Sequence, residues 1–246
     1  MHSDAPSSPW IRRFHPAPEA RRRLVLLPHA GGSASFFFPT SRALSPAVDV
    51  LAVQYPGRQD RRHEALVDDL ETLADTVAAE LAPWTDRPLA LFGHSLGALL
   101  AFEVARRLEA GGVVPHKLFV SGRRVPADLR GEQVHLLADD ALAKAVKELA
   151  GTELPVPDDE LLRLVLPPVR SDYKALETYT YRPGPPLAAP VMALTGDRDP
   201  RVTVEAARRW AAYTVGDFEL RVFDGAHFYL VGRADEVAAL LREQCA

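Results

Sequence analysis

The amino-acid sequence predicts an α/β protein: a mostly parallel central sheet with helices on both faces and a helical insertion. Short apolar runs alternate with segments of helical period, as successive β-α-β units require. The alternation breaks between about Pro126 and Pro186, where no β-rich run occurs, and resumes at Val191. The 246 residues, 47% hydrophobic and 25% charged, fit one domain spanning 1–246 that is large enough for a substantial core.

Each element has a local cause. Leu24 to Leu27 reads as a buried strand running into the loop His29-Ala30-Gly31-Gly32. Val48 to Tyr55 is a second strand, closed by Pro56-Gly57. From Leu66 the positions Leu70, Leu73, Ala74, Val77 and Leu81 continue a helical apolar face, and Pro83 ends it. Leu89 to Phe92 is a strand, and Leu96 to Leu108 a helix that stops near Gly111-Gly112. Leu118 to Ser121 is the next strand. Within the insertion, about 126–186, Leu136 to Leu149 and Asp159 to Tyr181 read as helices, separated by Pro-Val-Pro-Asp at 155–158. Strands then follow at 191–194 and 218–223, with helices at 204–213 and 234–242.

The residues that bear chemistry sit at the strand ends. Gly93-His94-Ser95-Leu96-Gly97 matches G-x-S-x-G, follows a predicted strand and opens a predicted helix, the context that a nucleophile turn in the α/β-hydrolase fold requires. A free serine is a weak nucleophile and needs a base that is itself held by a third group. Of eight histidines, His227 follows the last predicted strand, and the order serine, acid, histidine is the order of this fold. The acid belongs after the strand at 191–194, where Asp197 and Asp199 both stand. Asp199 lies further out along the loop and is the expected partner, with Asp197 a turn-stabilising residue. Two donors for a tetrahedral oxyanion are expected from the backbone N–H groups of Leu96 and Ala30.

Several segments narrow the family. Leu27-Pro28-His29-Ala30-Gly31-Gly32-Ser33, Tyr55-Pro56-Gly57-Arg58 with Arg61 and Glu64, the serine pentapeptide, Ser121-Gly122-Arg123-Arg124 and Gly225-Ala226-His227-Phe228 stand in one order. In these the chain resembles the stand-alone type II thioesterases of polyketide and non-ribosomal peptide biosynthesis, from about residue 20 to 240. The resemblance implies hydrolysis of unwanted acyl groups from the phosphopantetheine thiol of acyl or peptidyl carrier proteins, an editing role. It also implies that Ser95, Asp199 and His227 form a triad and that the insertion is a lid over an acyl pocket. No carrier or docking region is legible at either end, so a discrete partner of a synthase is expected.

Carrier proteins are commonly acidic, and Arg58, Arg61, Arg62, Arg123 and Arg124 are candidates for a basic rim. Leu161, Leu162, Leu164, Val165 and Leu166 either line an acyl channel or pack within the insertion. The same triad would serve a small-molecule esterase or lipase, and the same scaffold a non-catalytic ligand receptor.

Composition sets further expectations. A formal charge of −4 leaves no basic excess for nucleic acid. Neither a nucleotide motif nor clustered metal-ligand spacing occurs, so no cofactor and no metal are expected. The single cysteine, Cys245, sits near the end, where chains fray, and the first fourteen residues hold no signal-peptide core. A monomeric, cytoplasmic protein without membrane contact is expected.

Overall fold

The computed structural model describes residues 8–128, 133–153 and 159–245, with the side chains of 159–161, 163 and 164 outside the description. In chain order the elements are β1 (Ile11–Arg12), β2 (Arg23–Leu27), α1 (Phe38–Leu44), β3 (Asp49–Val53), α2 (Leu70–Leu81), β4 (Leu89–His94), α3 (Leu96–Ala110) and β5 (Lys117–Ser121). The insertion then supplies α4 (Asp139–Ala150) and α5 (Asp159–Thr178). The sheet resumes with β6 (Val191–Gly196), α6 (Val204–Arg208), β7 (Phe218–Phe223), α7 (Tyr229–Gly232) and α8 (Ala234–Cys245).

The seven strands lie in the order β1-β3-β2-β4-β5-β6-β7, every pair parallel except β1 against β3. β2, β3, β4, β5 and β6 are buried throughout, the state expected of parallel strands covered on both faces. Alternate residues feed two cores. Val25, Leu27, Leu91 and Val120 pack with α2 and α3 residues such as Val77 and Leu99. Leu24, Leu26, Phe92 and Phe119 pack on the other face with Val237 and Leu241 of α8. The side-chain period of two along a strand thus sorts one apolar run into two layers.

Several boundaries differ from the sequence expectation. The helix expected from Leu66 starts at Leu70, because the Asp69 carboxylate accepts the Thr72 N–H at 2.7 Å and fixes the start there. Leu66 instead fills the hollow over Gly57, whose φ of +80° suits glycine. α1 was not anticipated in the sequence. It is the crossover that a parallel β2–β3 connection demands, and Pro39 stands at its first turn. Residues 11–12, for which no strand is expected from the sequence, form an antiparallel edge strand. α5 stops at Thr178 rather than Tyr181 and contains Pro167 and Pro168. The expected break at 155–158 lies outside the described residues.

The fraying expected of Cys245 does not occur: it is fully buried beside Val237 and Leu241. Among the described residues no helix is long and apolar enough to cross a membrane.

Candidate active site

Ser95 joins β4 to α3 with φ 54° and ψ −110°, a region that side-chain-bearing residues seldom enter. The turn exists because its neighbours at two removes are glycines. A Cβ at Gly93 would overlap the Gly97 carbonyl, and a Cβ at Gly97 would overlap the Leu27 carbonyl. The Ser95 N–H is held by the Ser121 carbonyl at 2.8 Å, so β5 anchors the turn.

His227 and Asp199 meet beside it. The imidazole Nδ1–H donates to Asp199 Oδ2 at 2.8 Å, and both side chains are buried, at 2% and 0% exposure. The carboxylate is aimed by its other oxygen. Asp199 Oδ1 accepts the N–H groups of Arg201 (2.8 Å) and Val202 (3.2 Å), which leaves Oδ2 for the imidazole. Asp197 does different work. Its Oδ1 accepts the Gly225 N–H at 2.9 Å, tying the loop after β6 to the loop after β7.

Ser95, His227 and Ala30 line one small cavity of about 40 Å³, whose other walls include Gly122, Arg123, Arg124 and Arg201. Leu149, Tyr173 and Leu176 of the insertion also line it. Leu96 opens α3, where the first N–H groups of a helix have no partner within it. Among the described residues no hydrogen bond joins the Ser95 hydroxyl to His227. Such bonds commonly tighten only around substrate.

A second histidine layer underlies the first. His94, fully buried, is bonded through Nδ1 to the Ser121 hydroxyl at 2.9 Å, which meets the Tyr229 hydroxyl at 2.6 Å. Its ring lies 5.0 Å from that of His227. Gly122, with φ +59°, makes room: a Cβ there would come within 2.7 Å of the His94 ring and 3.3 Å of the His227 ring. Burial, and then the nearby His227 and His29, holds His94 well below the usual imidazole range. Burial first, then His227 and Arg58, lowers His29 to about 3.

Both rings are therefore neutral in the folded protein and protonate readily once it unfolds. From pH 6.5 down to about 3 the unfolded chain binds protons that folded His29 refuses, so stability falls with acidification through that window. Unfolding free energies from denaturant titrations between pH 7.5 and 5 should drop by about 1.4 kcal/mol per pH unit per such group below 6.5, and His29→Asn should flatten the slope.

The arginines divide unexpectedly. Arg58 and Arg61, expected at a basic rim, are both buried, at 5% exposure. Arg58 pairs with buried Asp172 of α5 and donates to the Gly32 and Pro56 carbonyls, at 3.2 and 2.7 Å. Arg61 pairs with Glu64 and donates to the Gln54 carbonyl at 2.7 Å. Their guanidinium forks satisfy backbone carbonyls that the loops leave unpaired. Arg62 is exposed, and Arg123 and Arg124 line the cavity. Leu162 and Leu166 pack with Leu142 and Val169 inside the insertion, while the side chains of Leu161 and Leu164 lie outside the described residues.

A parallel sheet in this order, a strained serine turn after β4 and an acid and a histidine after β6 and β7 are the frame of the α/β-hydrolase fold. The thioesterase domain family matches residues 22–245, and the chain belongs to that family: it is a hydrolase acting on thioesters. It is 54% identical over 231 residues to the thioesterase PikA5 of Streptomyces venezuelae, covering 93% of this chain and 82% of that one. It is 50% identical over 236 residues to the "Probable cadicidin biosynthesis thioesterase" of Streptomyces griseus, covering 96% of this chain and 65% of that one. Among solved structures, BorB, a type II thioesterase from the borrelidin biosynthetic cluster, superposes with a TM-score of 0.93 at 48% identity, covering 100% of both chains.

Proposed function

We propose that the protein is a type II thioesterase that removes acyl groups from the phosphopantetheine thiol of carrier proteins, an editing role in polyketide or non-ribosomal peptide biosynthesis. The observation that carries this reading is the buried His227–Asp199 hydrogen bond, 2.8 Å long, beside the cavity that Ser95 lines, in a chain of the thioesterase family. Likeness to BorB, a type II thioesterase, at 48% identity supports the type II assignment.

In this reading Ser95 Oγ attacks the thioester carbonyl while His227 Nε2 takes its proton. The C–S bond then breaks, the proton passes to the departing sulfur, and the acyl group remains on Ser95. Because a thiol has a pKa near 8.5, its departure needs less acid assistance than that of an alcohol. Water repeats the sequence through the same imidazole, and the freed acid leaves. The N–H groups of Leu96 and Ala30 stabilise the oxyanion in both halves, each worth roughly 10²–10³ in rate. Asp199 fixes the tautomer that keeps His227 Nε2 free to accept. Arg123, Arg124 and Arg201 line the cavity and favour approach of an acidic carrier protein, a role that Arg58 and Arg61 are too buried to share.

The test compares kcat/KM on an acylated carrier protein with that on a simple oxygen ester of the same acyl group, with intact-mass readout of the carrier. The carrier thioester is expected to be preferred. Preference for the ester would identify a small-molecule esterase, and binding without turnover of either would identify a receptor.

A further inference from the structure

The insertion between β5 and β6 sends two carboxylates into loops that belong to the rest of the chain. Glu153, just beyond α4, accepts the Ala226 N–H through Oε1 at 2.6 Å and the Phe228 N–H through Oε2 at 2.9 Å. Those two residues flank His227 on either side. Gly225 permits the approach: with φ +153° it brings the chain so close that a Cβ would lie 2.8 Å from Glu153 Oε1. Asp172, on α5, accepts the Gly31 N–H at 2.7 Å and pairs with Arg58, which donates in turn to the Gly32 carbonyl at 3.2 Å. Gly31 directly follows Ala30, and Val169 of α5 lies against it. Each half of the site, histidine loop and oxyanion loop, is thus held by one acid from the insertion.

A mere cover would not need these acids. Apolar contact among Leu142, Leu162, Leu166 and Val169 already gives the insertion a core of its own. Carboxylates spanning backbone N–H groups fix the path of a loop, because each oxygen satisfies a donor that would otherwise be unpaired. The cavity at Ser95, about 40 Å³, holds no more than a few waters, and Leu149, Tyr173 and Leu176 of the insertion are among its walls, so a shift of the insertion would enlarge it for an acyl chain. Glu153 and Asp172 would move with the insertion.

We propose that Glu153 is a positioning residue for His227 and that, with Asp172, it makes the seating of the insertion a condition for an assembled site. Seated, the insertion holds the imidazole and the Ala30 segment in reacting geometry. Displaced, it leaves the Ala226 and Phe228 N–H groups without their acceptor and the histidine free to drift. This rests on the roles proposed above for Ser95 and His227.

The test uses the full chain as wild type, Glu153→Gln and Glu153→Ala. Three quantities are read: kcat and KM on acetyl and octanoyl thioesters of N-acetylcysteamine, the rate of Ser95 phosphonylation by an alkyl fluorophosphonate, which loses fluoride to the serine oxygen, and the melting temperature. Glu153→Ala should lower kcat by about 10–100-fold on both thioesters, slow phosphonylation in proportion and leave KM little changed. Glu153→Gln, which keeps the size and one acceptor oxygen, should recover part of both rates with a melting temperature close to that of wild type. It carries the test alone if the alanine chain does not fold. Unchanged kcat and phosphonylation in Glu153→Gln and any folded Glu153→Ala would overturn the proposal. So would a loss confined to KM for the octanoyl substrate, which a covering role produces. Wild type that hydrolyses thioesters but is not phosphonylated at Ser95 would instead overturn the nucleophile assignment.

Discussion

Ser95→Ala is expected to lower kcat by about 10⁶-fold, the loss found when the nucleophile of a serine triad is removed. The substitution deletes one oxygen and keeps Cβ, so the backbone at φ 54° bears the same strain before and after. The Gly93–Gly97 approach and the Ser95 N–H bond to Ser121 involve backbone alone and survive. Melting temperature and acyl-ligand binding should therefore match wild type, measured by thermal unfolding and by titration with a non-hydrolysable acyl thioether. Turnover that persists in this variant would dismiss Ser95 as nucleophile.

Asp199→Asn should reduce kcat by up to about 10⁴-fold, as the same change does in a serine-protease triad, and the geometry here explains why. The amide oxygen would remain with the Arg201 and Val202 N–H groups that now hold Oδ1, so its NH₂ would face His227. A donor at that place forces Nδ1 to accept and puts the ring proton on Nε2, where it can no longer take one from serine. Asp197→Asn presents an amide oxygen to the Gly225 N–H much as the carboxylate does, so its cost should be small. Steady-state kinetics of the two variants decide between them, and the reverse ranking would transfer the role to Asp197.

How far the sequence reveals the site depends on whether a residue's work is local. The serine turn is legible because its requirement is local: two glycines two residues from the serine, where backbone meets backbone. The pairing of His227 with Asp199 and not Asp197 is legible from loop length, since the outer acid reaches the imidazole while the inner one stops at the Gly225 N–H. Most strand and helix positions follow from periodicity, but the crossover helix α1 and the two-residue edge strand β1 do not, nor do starts such as Leu70, which a single capping carboxylate fixes. Arg58 and Arg61 mislead because an arginine in a loop reads as solvated. Arg58 is buried against Asp172, 114 residues away, and both side chains meet carbonyls in loops whose folding no local pattern announces. Glu153 is equally silent. It is one acid among 33 acidic residues, and its partners are backbone N–H groups more than seventy positions away, which carry no side-chain signature.

The chain's lone thiol doubles as a built-in gauge of intactness. Cys245, the last residue of α8, is fully buried, and burial pushes its pKa up to about 12, so neither accessible sulfur nor thiolate is on offer near neutral pH. Reaction with a maleimide or disulfide dye requires that at least the last turn of the C-terminal helix first loosen, and no other sulfhydryl competes for the reagent. The labelling rate of untouched enzyme then counts excursions of that helix directly, without a fluorophore having to be engineered anywhere.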